Sequence, residues 1–349
     1  MTKRPENIIV GISIGDLNGI GSEVILKSFE DPRMLELCTP IIFANVKILS
    51  FLKKNLELTA QLHGIDKLDQ MVIGRINVLN VWREGVNIEY GKIDETVGKY
   101  AIKSFTAATK ALKDGDVDVL VTAPISKSNI QSEEFSFPGH TDYLNQELEG
   151  NALMFMIQDN LRVGLLTDHV PLNEVTKHLT EDLIRTKIKT INRSLIQDFG
   201  IRKPKIAVLG LNPHSGDNGV IGDEEDKLMK PVLKKIFDEG TLVFGPFSAD
   251  GFFGSHQYDK SDAVIATYHD QGLIPFKTLS FGKGVNYTAG LNKIRTSPDH
   301  GTAYEIAGKG LADNNSFSEA IYAAIDIFNA RNEYATLTEK PLKTKEKQL

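Results

Sequence analysis

The sequence of 349 residues predicts an α/β fold built on a mainly parallel sheet with flanking helices. Short apolar runs rich in Val, Ile and Leu alternate with segments of helical periodicity along the chain, which is typical of parallel strands joined by crossover helices. Runs of this kind are expected to be strands buried on both faces. Three of them, LRVGLLTDH, KIAVLGLNPH and AVIATYH, end in a histidine.

The elements of the first half follow in order. Residues 8–15, IIVGISIG, are predicted to form a strand, and the Gly-rich turn at 15–23, GDLNGIGSE, leads into a helix. Apolar residues within 95–113 recur at helical spacing, and Gly115 marks the expected end of that helix. Residues 117–124, VDVLVTAP, read as the next buried strand.

The second half is predicted to contain three long helices. The first has Thr180 as its N-cap and ends near Gly200, the second spans about residues 224–239, and the last begins near Ser318. Residues 336–349 cannot bury apolar surface, so we expect a disordered tail there.

Composition narrows the class of protein. Charged residues make up 25% of the chain and hydrophobic residues 41%, and the net charge of −6 argues against a nucleic-acid partner. Cys38 is the only cysteine, which favours a reducing compartment without disulfides. The apolar run near the start is interrupted by Asp16, and no segment approaches the roughly 20 apolar residues of a membrane span. We therefore expect a cytoplasmic enzyme with no membrane partner.

The three strand-end histidines are candidate metal ligands. Ligands of open α/β sheets collect beyond the carboxyl ends of strands, so His169, His214 and His269 are expected to converge. Three imidazoles would leave one coordination position open, as in catalytic metal sites. The alternative is that they are unrelated loop histidines whose nitrogens bond backbone carbonyls.

Two further segments suit anions. The turn GDLNGIGSE lacks the GxGxxG dinucleotide motif, but its glycines allow an anion or ribose to approach a helix N-terminus; a simple tight turn is the alternative. In FPGHTDYL, Thr141 can cap an apolar helix and leave its first amides and His140 facing a phosphate; a simple helix cap is the alternative.

The densest group of polar residues lies between Tyr268 and Gly310. It contains His269, Asp270, Gln271, Lys277, Asn286, Arg295, Asp299 and His300. Lys277 and Arg295 offer charge-assisted hydrogen bonds to a phosphate or carboxylate, and a surface ion-pair network is the alternative.

These segments resemble the 4-hydroxythreonine-4-phosphate dehydrogenase family. The resemblance covers nearly the whole chain and is carried by GDLNGIGSE, TAPISK, FPGHTDYL, TDHVPLNEV, LNPHSGDNGVIGDEE, YHDQGLIPFK and VNYTAGLNKIRTSPDHGTA. The family usually has GDPAGIGPE in the first motif, where this chain has Leu17, Asn18 and Ser22. The glycines are retained, so we expect the turn to be retained as well.

The resemblance implies residue roles. His169, His214 and His269 correspond to the family's ligands for one divalent metal per subunit, with zinc expected and magnesium or cobalt as alternatives. The residues matching its substrate contacts are His140, Thr141, Lys277, Asn286 and Arg295. The closing segment is similar to the adenosine-binding loop of isopropylmalate and isocitrate dehydrogenases, which implies NAD or NADP as cofactor, bound near Asp299, His300 and Gly301.

The resemblance also implies architecture. We expect the two-domain isopropylmalate/isocitrate dehydrogenase-like fold, with the active site in the cleft. Residues 1–130 and 285–335 would form a discontinuous first subdomain, and 131–284 a second subdomain with the metal ligands and the dimer interface. The active sites would be shared across a homodimer.

The implied reaction is oxidation of 4-phosphohydroxy-L-threonine at carbon 3 and decarboxylation to 3-amino-2-oxopropyl phosphate, in pyridoxal 5'-phosphate biosynthesis. Asp270 and Asp250 are the candidate general bases, although either can instead orient a ligating imidazole. A dehydrogenase for 4-phosphorylated threonate or erythronate would share these motifs. A metallohydrolase would also use three histidines but would need no nucleotide loop, and a non-enzymatic binding module is the third alternative.

Overall fold

A single sheet organises the computed structural model, which describes residues 7–132 and 135–340. The strands of these residues are β1 Ile8–Ser13, β2 Cys38–Ala44, β3 Leu62–Ile65, β4 Ile76–Asn80, β5 Val119–Thr122, β6 Gly150–Gln158, β7 Leu161–Leu165, β8 Ile206–Leu209, β9 Val243–Phe247, β10 Ala263–Ala266, β11 Val285–Leu291 and β12 Ile294–Pro298.

Helices cover both faces of the sheet. They are α1 Gly21–Ser28, α2 Met34–Leu37, α3 Val46–Asn55, α4 Glu95–Asp114, α5 His140–Glu147, α6 Val175–His178, α7 Glu181–Gln197, α8 Lys230–Asp238, α9 Ala249–Gly254, α10 His269–Ser280 and α11 Asn315–Glu339. A π-helical turn, Glu225–Met229, leads directly into α8.

The strands pair in the order β3-β4-β2-β1-β5-β12-β11-β6-β7-β10-β8-β9. Pairings are parallel on both sides and antiparallel only at β12–β11, β11–β6 and β6–β7. These three reversals make the strands of one half run opposite to those of the other half. We call the strands β12, β11 and β6 the seam. The predicted α/β class with a mainly parallel sheet is confirmed.

Local sequence signals explain the helix limits. The Asp94 carboxylate accepts hydrogen bonds from the Thr96 and Val97 amides and so begins α4, which ends at Gly115 with φ of 81°. The Thr180 hydroxyl accepts from the Leu183 amide at 3.2 Å and caps α7, as predicted.

Two predicted limits at the C-terminal end were wrong. The last helix begins at Asn315, three residues before the predicted Ser318, because the Asp313 carboxylate accepts from the Asn315 amide at 2.8 Å. It continues to Glu339, so residues 336–339 are helical, since a helix started on buried side chains extends through exposed ones. The rest of the predicted tail, 341–349, lies outside the described residues.

The sheet runs without a break across the predicted subdomain boundary, and the division of the chain into 1–130 with 285–335 and 131–284 remains a prediction. Within the described ranges, no helix is both long and apolar enough to cross a membrane.

A buried polar network ties α7 and α11 to the seam. The Asp198 carboxylate accepts hydrogen bonds from Tyr287 OH, Ser194 Oγ and Arg331 Nε, each at 2.6 Å. Arg331 Nη2 also donates to Tyr287 OH at 2.9 Å. Burial raises the pKa of Tyr287 well above its usual range, with the Asp198 charge adding to the effect. The phenol therefore stays a neutral donor at physiological pH.

Removing the charge of Asp198 should destabilise the fold. Asp198→Asn leaves the Arg331 guanidinium without its ion pair, and breaking a buried pair in this way costs about 3–5 kcal/mol. Urea unfolding followed by circular dichroism measures the free energy of unfolding. The control is Tyr334→Phe, on the exposed side of α11, the helix that carries Arg331. It should change the free energy of unfolding by less than about 0.5 kcal/mol. Equal effects of the two variants would show that the network does not stabilise the protein.

Candidate active site

The three predicted metal-binding histidines follow three neighbouring strands. β7, β10 and β8 are adjacent and parallel, and His169, His269 and His214 come shortly after their respective carboxyl ends. The short distance between these strand ends brings the three loops to one edge of the sheet, which is where ligands of α/β sheets collect.

His169 and His269 face each other across this edge. Their ring centroids are 5.8 Å apart, and the rings are tilted by 38°. Thr167 fixes the spacing of the two loops, because its amide and its hydroxyl both donate to the Thr267 carbonyl, at 3.1 and 2.7 Å. Asp270 Oδ1 lies 2.7 Å from His269 Nδ1, so this carboxylate is placed to orient the ring.

His214 lies in an unusual backbone segment. His214, Ser215, Gly216, Asp217 and Asn218 all have positive φ, between 43° and 80°. A left-handed conformation at non-glycine residues costs about 1–3 kcal/mol each and persists only where the surroundings enforce it. Such segments cluster at functional sites.

Side chains beneath the segment hold it in place. The buried Glu225 carboxylate accepts from the Asn212 amide at 2.7 Å and from Asn212 Nδ2 at 2.9 Å. Ser215 Oγ donates to the Pro246 carbonyl at 3.0 Å.

Asp250 is the carboxylate on the His214 side of the edge. Ser248 Oγ donates to it at 2.5 Å, and that bond, followed by smaller contributions that include His214, lowers the pKa of Asp250 below its usual value. The two candidate bases thus lie beside different histidines, Asp270 beside His269 and Asp250 near His214.

The histidines partly fit a shared metal ion. The two rings 5.8 Å apart can each direct a nitrogen at one ion, at the usual distance of about 2.0–2.1 Å. No group of three or more His, Cys, Asp or Glu side chains in residues 7–132 and 135–340 is arranged to hold a metal. Two of the three expected imidazoles thus lie together, and the described residues of one chain do not form the complete three-histidine set.

Arg295 forms a second polar centre in the seam. Its guanidinium is only 3% exposed and takes part in no ion pair with any described residue. Nε and Nη2 donate to Thr122 Oγ1 at 3.0 and 2.6 Å, and Nη1 donates to Thr288 Oγ1 at 3.2 Å. Burial lowers the pKa of Arg295 to about 9, so the side chain is still charged at neutral pH.

His140 is in direct contact with this guanidinium. It is the first residue of α5, and its Nδ1 lies 3.0 Å from Arg295 Nη2, while its ring packs on Phe105 with centroids 4.5 Å apart. Burial first, and the Arg295 charge second, lower the pKa of His140 well below its usual value. His140 Nε2 is buried without a partner among the described residues. Thr141 lies within the first turn of the helix, so the predicted cap at Thr141 was wrong and Gly139 is the N-cap.

Asn286 and Lys277 extend the polar centre. Asn286 lies on β11 opposite Ser297 of β12, and its Oδ1 is buried without a partner in the described part of the chain. Lys277 lies two turns along α10 from His269, and its Nζ donates to the Asp299 carbonyl at 2.7 Å. That bond connects the helix carrying a predicted metal ligand to the loop after β12.

The predicted cofactor residues follow β12 directly. The Asp299 amide donates a hydrogen bond to Ser316 Oγ at 3.1 Å. His300 Nδ1 lies 3.0 Å from the Gly301 carbonyl and must donate to it, which leaves Nε2 as an acceptor; this atom is buried and unpartnered among described residues. Apart from Gly301 and its two neighbours in the chain, no atom of the described residues lies within 4 Å of where a Cβ would be placed on Gly301, so open space adjoins the loop.

The polar groups of the Gly-rich turn form hydrogen bonds with other parts of the protein. Its Asp16 is fully buried and accepts hydrogen bonds from the Asn18 amide, Asn129 Nδ2 and Tyr304 OH, at 2.7–2.8 Å. The Ile20 amide donates to the Thr302 carbonyl at 3.0 Å. These bonds favour the structural interpretation of the turn, as a support for the loop that follows Gly301. The expected turn is present, with Gly15 at φ of 70°.

Three residues of the Arg295 centre and the Gly-rich turn were not predicted from the sequence to have a role there. Thr122 and Thr288 bond Arg295 but received no role, and Asp16 was considered only as part of a turn. Polar residues within otherwise apolar strands, as in VLVT and VNYT, are the signal that identifies the two threonines.

A family model described as "Pyridoxal phosphate biosynthetic protein PdxA" matches residues 36–324. A 4-hydroxythreonine-4-phosphate dehydrogenase of Bacteroides thetaiotaomicron is 47% identical over 338 residues, which covers 96% of this chain and 93% of the relative. A relative from Oceanobacillus iheyensis, 34% identical over 332 residues, covers 94% of this chain and 99% of its own length; its name, D-threonate 4-phosphate dehydrogenase, is a provisional one.

The crystal structure of 4-hydroxythreonine-4-phosphate dehydrogenase from Klebsiella pneumoniae superimposes with a TM-score of 0.80. It is 31% identical to this chain, and the alignment covers 93% of this chain and 99% of the other. The fold is thus the isocitrate dehydrogenase-like fold that the resemblance implied. Because the family model spans most of the chain and the Bacteroides relative matches it almost end to end, the chain belongs to the PdxA family of pyridoxal phosphate biosynthetic proteins.

Proposed function

We propose that this chain is a metal-dependent NAD(P)-linked dehydrogenase that oxidises 4-phosphohydroxy-L-threonine at carbon 3. Decarboxylation of the product to 3-amino-2-oxopropyl phosphate follows, as a step of pyridoxal 5'-phosphate biosynthesis. Curated relatives are oxidoreductases with the corresponding name. The observation that carries the proposal is the buried Arg295 guanidinium, which has no carboxylate partner and so suits an anionic substrate.

The substrate's anionic groups would lie between the seam and α10. Arg295, His140 and Thr141 would bind from the seam side, and Lys277 from α10. Asn286 Oδ1, an unpartnered acceptor, would receive a hydroxyl or ammonium hydrogen of the substrate. Binding energy from these remote groups would hold carbon 3 in position for reaction.

His169 and His269 of one subunit, with His214 of a second copy, would hold the metal. Support comes from the close pair of rings and from the lack of a three-ligand group within the described residues of one chain. When bound, a divalent metal supplies a Lewis acid for the substrate oxygen, and nicotinamide dinucleotide supplies the two-electron acceptor. The loop from Asp299 to Gly301 would bind the dinucleotide, with open space at Gly301 and the acceptor Nε2 of His300.

Asp270 and Asp250 would have different roles, the first in orienting a metal ligand and the second in proton transfer. Asp270 accepts from His269 Nδ1 in the neutral ring, which leaves Nε2 free to act as a ligand, so orientation is its proposed role. Asp250, on the His214 side of the edge, is the proposed acceptor of the substrate hydroxyl proton, whose own pKa a bound metal would lower.

Oxidation of a 4-phosphorylated threonate is the second candidate, supported by the name of the Oceanobacillus relative. The metallohydrolase alternative lacks support, since the family is one of oxidoreductases.

A panel of substrates tests the proposal. Reduced nicotinamide absorbance should rise fastest with 4-phosphohydroxy-L-threonine and more slowly with D-threonate 4-phosphate and D-erythronate 4-phosphate. 4-Hydroxy-L-threonine is the control without a phosphate. It should lose at least one to two decades in kcat/KM, because a charge-assisted contact contributes about 1.5–3 kcal/mol. Faster turnover of either sugar acid phosphate would assign the second function instead.

Loss of the metal should stop turnover and leave the fold intact. A chelator, or His214→Ala, should lower kcat by at least about a hundredfold without changing the far-UV circular dichroism, because the site is built on loops outside the sheet. Restoring zinc should recover the chelated protein but not the variant. His178→Ala, an exposed histidine on α6, is the matched control and should keep full activity. Undiminished turnover by the fully chelated protein would refute the metal assignment.

Mixing two inactive variants tests whether sites are shared in a homodimer. If His214 and His269 of one site come from different subunits, a heterodimer of His214→Ala and His269→Ala carries both lesions in one site and leaves the other site complete. Activity should return after subunit exchange, to at most about half of the wild-type value per heterodimer. Each variant exchanged with itself should stay inactive. No recovery from the mixture despite demonstrated exchange would place both ligands in one chain.

A further inference from the structure

A buried carboxylate joins the Gly-rich turn to two other parts of the chain. Asp16 forms no ion pair within the described ranges, and all of its hydrogen-bond donors are neutral. Its Oδ1 accepts from the Asn18 amide, and its Oδ2 accepts from Asn129 Nδ2, in the loop after β5, and from Tyr304 OH. Burial raises the pKa of Tyr304 to about 12, so the phenol stays a donor. An asparagine would serve a plain turn, whereas donors converging on both oxygens require a side chain that only accepts.

The turn holds the chain between β12 and α11, residues 299–312, which we call the β12–α11 loop. The Ile20 amide donates to the Thr302 carbonyl at 3.0 Å, and the Tyr304 hydroxyl is bound by the buried carboxylate at 2.8 Å. Ala303, between these two residues, has φ of 43°, a conformation that a non-glycine residue keeps only where its surroundings enforce it. The loop is therefore ordered by contacts with the protein before any ligand binds.

Asn18, one of the departures from the usual family motif, connects the turn to a third part of the chain. Residues 89–92, which we call the β4–α4 segment, bond to it three times. Asn18 Oδ1 accepts from the Glu89 amide, its Nδ2 donates to the Lys92 carbonyl, and its own carbonyl accepts from the Gly91 amide, each at 2.9 Å. The Asn18 side chain is only 1% exposed. An alanine, as in the usual motif, can form only the bond through the backbone carbonyl.

The β4–α4 segment lies directly against the β12–α11 loop. A Cβ on Gly91 would be 2.9 Å from the Tyr304 carbonyl oxygen, and a Cβ on Gly308 would be 2.4 Å from Tyr90 Cδ2. Both distances are too short for a side chain, so the two parts of the chain are in close contact at two places. By bonding to both of them, the Gly-rich turn keeps one pressed against the other.

We propose that Asp16 and Asn18 are positioning residues for the nicotinamide dinucleotide, and that they hold the β12–α11 loop in its binding conformation, Asp16 through Tyr304 and Asn18 through the β4–α4 segment. They act through the loop and need not contact the dinucleotide. A loop that is ordered in advance loses less conformational freedom on binding, so its contacts give a higher affinity. The inference rests on the proposed function for the assignment of this loop to the dinucleotide.

Steady-state kinetics of the metal-loaded enzyme tests both residues. Asp16→Asn and Asn18→Ala should each raise the KM for the dinucleotide by at least about tenfold, and by more than the KM for the phosphorylated substrate, because the loop loses its support. Thermal unfolding checks that the variants fold. Asn18→Ala removes no charge, so it tests the proposal even where Asp16→Asn does not fold.

Asn77→Ala is the matched control for a general loss of stability. Asn77 is also fully buried, and its Nδ2 donates to the carbonyls of Val72 and Arg75 at 2.9 Å, but none of its hydrogen bonds reaches the turn or the β12–α11 loop. This variant should lower the melting temperature and leave both KM values unchanged. An equal rise of the dinucleotide KM in Asn77→Ala and Asn18→Ala would overturn the proposal.

Titration calorimetry with NAD and with NADP measures binding without turnover. Tyr304→Phe removes one donor to Asp16 and should weaken the tighter-binding dinucleotide, and the double variant with Asp16→Asn should bind about as weakly as Asp16→Asn alone, because both changes break the same bond. Additive losses would contradict a shared path through Tyr304. Binding of neither dinucleotide by the wild type, or wild-type affinity in both Asp16→Asn and Asn18→Ala, would also overturn the proposal.

The failure of this inference and that of the proposed function give different results. A chain that binds NAD or NADP with the expected losses in the variants, but oxidises none of the substrate panel, would contradict the proposed function alone. A chain that oxidises the phosphorylated amino acid, while Asp16→Asn and Asn18→Ala bind the dinucleotide as the wild type does, would contradict only this inference.

Discussion

The arrangement of the candidate site depends on one buried positive charge without a negative partner. Moving a guanidinium out of water costs several kcal/mol, and no carboxylate of the described residues offsets this cost at Arg295. Two hydroxyls and one imidazole nitrogen satisfy the guanidinium geometrically but do not neutralise its charge. The pKa of about 9 reflects that imbalance. A bound anion would remove it, so the same feature that weakens the empty fold prepares the site for an anionic ligand.

The position of this charge follows from the topology of the sheet. Three antiparallel pairings reverse the direction of the strands between the two halves, and Arg295 lies on β12, the first strand of that seam. The histidine loops follow strands of one half, whereas Thr122 and Arg295 belong to strands of the other side. Lys277 crosses between them with its bond to the Asp299 carbonyl.

One of the three histidine loops contains a strained backbone segment. The left-handed conformation from His214 to Asn218 is maintained by a buried carboxylate, Glu225, beneath it. Holding the segment costs energy that a plain loop would not. One chain nevertheless pairs only His169 with His269. A second copy that supplies His214 would complete the set, which is the proposal that subunit mixing tests.

The sequence by itself determined the features that depend on local spacing and composition. Alternating patterns identified the α/β class, Gly115 and Thr180 marked the limits of two helices, and strand-end positions selected the three histidines. Tertiary structure alone decided the strand order, the reversal in the seam and the union of Thr122, Thr288 and His140 around Arg295. Pairing between distant strands leaves no periodic signal in the chain, since each strand has the same apolar pattern whichever neighbour it takes. For that reason the sequence identified which residues carry the chemistry, but only the folded sheet decided which of them meet.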